Sequence, residues 1–249
     1  MHRIQIFSTC LILLLLLFCN SIFAFDFVVY DNIFVKARSY HNVDTLNTLL
    51  QQGLNYLKTN PDDSEMLWRV GRLYMEIALE VKKGKEHREY LETARKYAEK
   101  SVKLNDNSAD AHFILGSAIG RIAQYAGILK SLFMVGDFDK HILRAIELAP
   151  KMYHAYVAMG MRYRDTPWIV GGSNKKAEKY FLDAIEIEPG YINSYYELAL
   201  LYKKWGKKDK AIVYFEKVIS MPLQKDYIVE GKESRENARN ALEKMGVKL

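Results

Sequence analysis

The chain has 249 residues, 49% hydrophobic and 27% charged, with a formal net charge of +6 and two cysteines. That is long enough for one sizeable core or a short repeat array, and the balance is that of a soluble globular protein, which excludes low-complexity and disordered classes. Cys10 and Cys19 both fall in the first 24 residues, so the remainder offers no disulfide, thiolate nucleophile or cysteine metal ligand.

The first 24 residues read as a secretory signal peptide. Met1-His2-Arg3 is a short positive start, Leu11–Phe18 an unbroken apolar run, and Ser21-Ile22-Phe23-Ala24 ends on a small residue before a cut. Asn20 and Ser21 leave the apolar stretch shorter than the roughly 20 residues of a membrane span. The alternatives are a retained anchor and a lipid on Cys19. Cleavage after Ala24 predicts a periplasmic or secreted chain of residues 25–249, with membrane contact only if the segment is retained. Without Arg3 the net charge is +5, and residues 203–249, with 12 Lys or Arg against 7 Asp or Glu, hold all of that excess. A basic end suits an acidic partner or an anionic surface; nucleic acid is not expected for an exported chain.

Phe25–Tyr40 shows no clear period, and Phe27-Val28-Val29-Tyr30 looks strand-like, which predicts an extended arm or a poorly ordered lead-in. Leu46, Leu49, Leu50, Leu54 and Leu57 predict a helix over 43–58. Asn60-Pro61-Asp62-Asp63-Ser64 breaks it and supplies caps for the next. Four helix pairs follow, over about 64–106, 109–150, 153–189 and 192–222. Each first helix carries a small residue with a ring or apolar residue three places on: Gly71 and Tyr74, Gly116 and Ile119, Gly160 and Tyr163, Ala199 and Tyr202. The second helices carry Ala94-x3-Ala98-x2-Ser101, Phe138-x3-Ile142-x2-Ala145, Ala177-x3-Phe181-x2-Ala184 and Ala211-x3-Phe215-x2-Val218. Small and large residues at such spacing let two helices approach closely, and Pro150, Pro189 and Pro222 stop the second helices. A pair of this kind buries its apolar face only by stacking on copies of itself. Lys232–Met245, with Ala238, Leu242 and Met245 on one face, predicts a capping helix over 232–245.

These residues resemble the tetratricopeptide repeat over about Ser64 to Pro222, most closely in Asn193–Pro222. The resemblance implies an all-α, right-handed solenoid of helix pairs with a concave binding face. The repeat ends lie 45, 44, 39 and 33 residues apart, against about 34 for a regular repeat. The excess falls between first and second helix, at Glu80–Tyr90, Gly120–Gly136 and Asp165–Lys175. It is either a set of projecting insertions or longer helices that thicken the array. The stretch Pro167-Trp168-x2-Gly171-Gly172, leading into the helix of Ala177, resembles the tetratricopeptide component associated with TRAP-type solute transporters. That family joins a substrate-binding protein at the membrane. Ala123-x2-Ala126-Gly127 with His141-x3-Ala145-Ile146-Glu147-Leu148-x-Pro150 is similar instead to the regulator of microtubule dynamics family, which shares the fold.

No His-Glu-x-x-His, glycine-rich phosphate loop or serine elbow appears, so no enzyme and no cofactor are expected. Gly136-Asp137-Phe138-Asp139-Lys140-His141 could offer metal ligands, but alternate helix positions point apart, and Asp137 reads as an N-cap. In Thr166–Ser173 the proline and paired glycines predict a tight excursion, with Ser173 or Asn174 capping the next helix. Its apolar Trp168-Ile169-Val170 is expected to fold down over the helix pair, or to line a cavity. In the resembled fold the first helices line the concave face, which puts Trp68, Arg72, Phe113, Arg121, Arg164, Tyr196, Lys203 and Lys204 there, with Trp168 from the loop. Aromatic and basic residues together suit an acidic or C-terminal carboxylate ligand. Two functions follow: a non-enzymatic exported scaffold binding a protein or peptide partner through that face, or a small-molecule-handling accessory of a TRAP-type transporter that meets its solute-binding protein.

Overall fold

A computed structural model describes residues 25–248. The signal-peptide reading of residues 1–24 lies outside the described residues. Of the described residues, 25–33 belong to one compact unit and 34–248 to another, and the repeat array is in the second. Among the described residues there are eleven α-helices: α1 (Phe27–Ser39), α2 (Val43–Thr59), α3 (Ser64–Glu80), α4 (Lys85–Leu104), α5 (Ala109–Tyr125), α6 (Ile128–Leu148), α7 (Tyr153–Asp165), α8 (Asn174–Ile187), α9 (Ile192–Lys204), α10 (Lys208–Ser220) and α11 (Ile228–Lys244). The expected all-α array of tetratricopeptide pairs is what is observed. Each helix from α2 on packs against the next, and the first helices also pack on one another in series, α3 on α5, α5 on α7, α7 on α9 and α9 on α11.

The stacking follows from the small residues. Gly71, Gly116, Gly160 and Ala199 are each the eighth residue of their helix. A Cβ on Gly160 would lie 2.5 Å from the Phe181 ring, and one on Gly116 2.7 Å from Ile142. The second helix therefore lies against the backbone of the first, and Phe181, Phe215 and Ile142 are fully buried there. Two cores result, one from Trp68 to Met159 across the first two pairs and onto α7, the other from Val157 to Leu242 across the last two and α11. The second helices stop two residues before Pro150, Pro189 and Pro222. The residue before a proline is pushed out of the α region, and Ala149 and Glu188 sit at φ −135° with ψ near 80°.

Two expectations need correction, and one choice left open is resolved. The lead-in is helical: Tyr30, Phe34 and Ala37 are buried three and four residues apart, whereas Val28 and Val29 face outward, so a helical period underlies the strand-like run. The excess in the first two pairs is not loop but longer helix. Aligned on the shared packing positions, α3 and α5 gain four residues at their C-termini, and α4 and α6 gain six or seven at their N-termini. At 1.5 Å per residue, those pairs run about 6–10 Å further at the shared end. Asp137 is then inside α6, exposed, and caps nothing. Only the third excess is a loop, carrying a 3-10 turn at Trp168–Val170. The final helix covers the expected cap: Ala238 and Leu242 are fully buried.

Candidate partner-binding face

The first helices share one face, and part of this chain already lies on it. Phe34, Ala37 and Ser39 are buried. The Arg72 guanidinium of α3 stands 3.7 Å from the centre of the Phe34 ring and 4.9 Å from that of Trp68. Arg38 lies 4.3 Å over the Tyr227 ring and donates to the Asp226 carbonyl at 3.3 Å. Burial works against the Arg38 charge, but Tyr227, Glu76 and Glu230 outweigh it and raise its pKa. Glu76 is on α3 and Glu230 on α11, so Arg38 bridges the fields of the first and last of these helices. His41 adds a 3.2 Å contact to Glu80.

Beside Arg38 lies an aromatic network. Tyr153 and Tyr227 hydroxyls are 2.7 Å apart, Tyr227 reaches His154 Nε2 at 2.9 Å, and Tyr191 donates to Glu230 at 2.7 Å. Burial, then the Arg38 charge, pushes His154 down to about 3, so its ring is neutral at neutral pH. Burial and the hydrogen bond with Tyr227 push the Tyr153 hydroxyl up. The group is a set of neutral rings and hydroxyls ringed by carboxylates, suited to hold a cation and an aromatic ring rather than to move a proton.

Of the residues expected on this face, Trp68 is 4% exposed, donates its indole N–H to Glu65 at 3.1 Å and is flanked by Arg69 and Arg72. It is a packing residue, because Arg72 spans from it to Phe34. Arg72 and Phe113 are half-buried, Phe113 with its ring 6.1 Å from His154. Arg164 is engaged internally: it forms a two-pronged bond to Asp165 at 2.9 and 2.8 Å and pairs with buried Glu197. Burial opposes its charge and the two carboxylates outweigh that, holding the guanidinium above its ordinary pKa. Arg121 and Tyr196 are half-buried; Lys203 and Lys204 are exposed, Lys204 donating to the Arg164 carbonyl at 2.6 Å. Trp168 does not fold down over the helix pair: it is 83% exposed and Ile169 75%. The possible metal set comes apart, with Asp139 bound to Arg162 and His141 Nδ1 2.9 Å from His112 Nδ1. Sequence reading missed Phe34, Arg38, His154 and Tyr227. Tyr153 and Tyr191 at the starts of α7 and α9 were the legible signal; the contact of Arg38 with Tyr227 is far too distant along the chain to leave one.

Comparison with known proteins agrees with the fold. A profile of the regulator of microtubule dynamics protein 1-3 family matches residues 33–164 and 169–246. Regulator of microtubule dynamics protein 3 of Rattus norvegicus is 24% identical over 181 residues, covering 65% of this chain and 38% of that protein. Regulator of microtubule dynamics protein 1 of Bos taurus is 26% identical over 178 residues, covering 65% and 56%. The chain thus spans about two fifths to just over half of these relatives' length. Among solved structures, a thermophilic TPR protein of Thermus thermophilus superposes with a TM-score of 0.65 at 17% identity over 86% of this chain and 98% of that one. MamA superposes at 0.51 with 26% identity over 81% and 95%. The transporter-associated resemblance gains no support from these matches. The matched stretches cover most of the chain, and the protein belongs to the regulator of microtubule dynamics protein 1-3 family.

Proposed function

We propose that this protein is a non-catalytic scaffold whose first-helix face binds a helical segment of a protein partner. One observation carries the reading: residues Phe34–Ser39 occupy that face through an aromatic ring on Arg72 and a cation on Tyr227. The face is chemically fitted to a short helix presenting an aromatic and, one turn on, a basic residue. A partner segment of that pattern competes with the chain's own. Residues Arg72, Phe113, Arg121 and Tyr196 remain the side chains proposed to meet it, with Lys203 and Lys204 at its margin. A fluorescein-labelled peptide of residues 27–42 tests this. It binds the Phe34→Glu/Arg38→Glu variant at least about tenfold more tightly than the wild type, whose face is filled. Equal binding to both, or none to a folded variant, contradicts the reading. We also propose export through the first 24 residues, on their apolar run and the small Ala24. N-terminal sequencing should begin at Phe25, and a chain that keeps Met1 and two thiols contradicts it.

A further inference from the structure

The two ends of the helix pairs differ in charge. The turns from first to second helix, taken with one helical turn on each side, are 77–88, 122–131, 162–177 and 201–211. They carry fourteen Lys or Arg against four Asp or Glu, and of the fourteen Arg162 and Arg164 are held by carboxylates on neighbouring helices, Asp139 and Glu197; the balance stays strongly basic without them. The turns from second helix to the next first helix are 56–67, 101–112, 145–156, 184–195 and 217–231. They carry five against ten. Because the helices alternate in direction, all turns of one kind lie along one edge of the array. One edge is strongly basic and the opposite one acidic.

The basic edge also displays apolar side chains on projecting turns. Leu79 ends α3 and is 49% exposed; Phe133 lies in the first turns of α6, 86% exposed; Trp168 and Ile169 stand out from the third pair. The Trp168 turn is a rigid mount. Gly171 has a φ of +93° and accepts from Arg162 at 2.8 Å, while Arg162 is held by both oxygens of Asp139 at 2.8 and 2.6 Å. The Gly172 amide donates to the Pro167 carbonyl at 3.0 Å, and a Cβ there would meet the Thr166 carbonyl at 1.8 Å. A braced turn that holds Trp and Ile in water implies something that covers them. Lys175 and Lys176 follow directly and are exposed. The family match omits residues 165–168, Trp168 among them.

We propose that this edge docks on an anionic lipid surface, with Trp168 and Ile169 entering the interface and the lysines on the headgroups. Two features select a membrane over an acidic protein. The exposed apolar groups sit on three successive helix pairs, one or two to a pair. A planar, diffuse negative surface also meets all four turns at once. Aromatic tips beside lysines are the usual interfacial combination. No helix of the described residues is long and apolar enough to cross a membrane.

The test uses the full chain and vesicles of phosphatidylglycerol and phosphatidylcholine with brominated acyl chains. Tryptophan emission of the wild type is quenched, and Trp168→Phe loses most of that quenching, since Trp68 is buried and Trp205 half-buried. Lys175→Glu/Lys176→Glu weakens binding by about tenfold or more, and high salt releases the protein. The variants' circular dichroism melts should match the wild type. Quenching unchanged in Trp168→Phe, or insensitive to salt and to the lysine changes, overturns the proposal. So does binding to an acidic protein with no quenching by brominated vesicles.

Discussion

Arg164 shows how far a residue's identity falls short of its role. An arginine near the end of a first helix reads as a ligand contact, yet it is the cation of a buried pair with Glu197, thirty-three positions on. Removing it leaves a carboxylate buried and unpaired. Arg164→Ala should cost about 3–5 kcal/mol in urea unfolding, and adding Glu197→Gln should recover part of it. A cost below about 1 kcal/mol would mean that the pair is solvated. Histidines give the pH dependence. Burial first, then His112 and Lys140, lowers His141 from 6.5 to about 4, and His154 falls further. Between those values and 6.5 the unfolded chain binds protons that the folded chain refuses. Stability is therefore full above about pH 6.5, drops as pH falls through that value, and levels off near the folded values. Urea midpoints from about pH 7.5 down to about pH 4 should show this, with a shallower fall in His141→Gln; a fall that begins only below about pH 4 would assign it to carboxylates.

At the scale of elements, most of the pairs were legible because Gly or Ala opposite an aromatic at fixed spacing has few other uses. The boundaries of α6 were not. Gly136-Asp137 looks like a break and a cap, but the helix continues through it, since Phe138, Ile142 and Ala145 are held by packing that outweighs a local glycine. A Cβ on Gly136 meets nothing within 4 Å. Gly136→Ala should thus stabilise by about 0.5–1 kcal/mol, whereas at a helix break it would be neutral or harmful. Caps supply a companion contrast. Asp63 accepts from the Met66 amide at 2.9 Å and from the Tyr56 hydroxyl at 2.8 Å, so Asp63→Ala costs about 1 kcal/mol or more, and Asp137→Ala no more than about 0.5. The first helix escaped notice for the opposite reason: its two valines face water and hid the period of the buried residues.

At the scale of the molecule, repetition was legible and occupation was not. The stack of first helices follows from the repeat, but what lies on their shared face depends on Phe34 and Arg38, which only the folded chain brings to Arg72 and Tyr227. The basic edge was likewise seen as a basic tail, because charge read along the sequence does not show that alternate turns share an edge. The face-bound segment is the centre of this view of the protein, and amide hydrogen exchange reports on it directly. The amides of Phe34–Ser39 should exchange with those of α3 and α11, at least about a hundredfold slower than unstructured chain, and Phe34→Glu should release them alone. Exchange of Phe34–Ser39 at the unprotected rate in the wild type, with the helix pairs still protected, would contradict it.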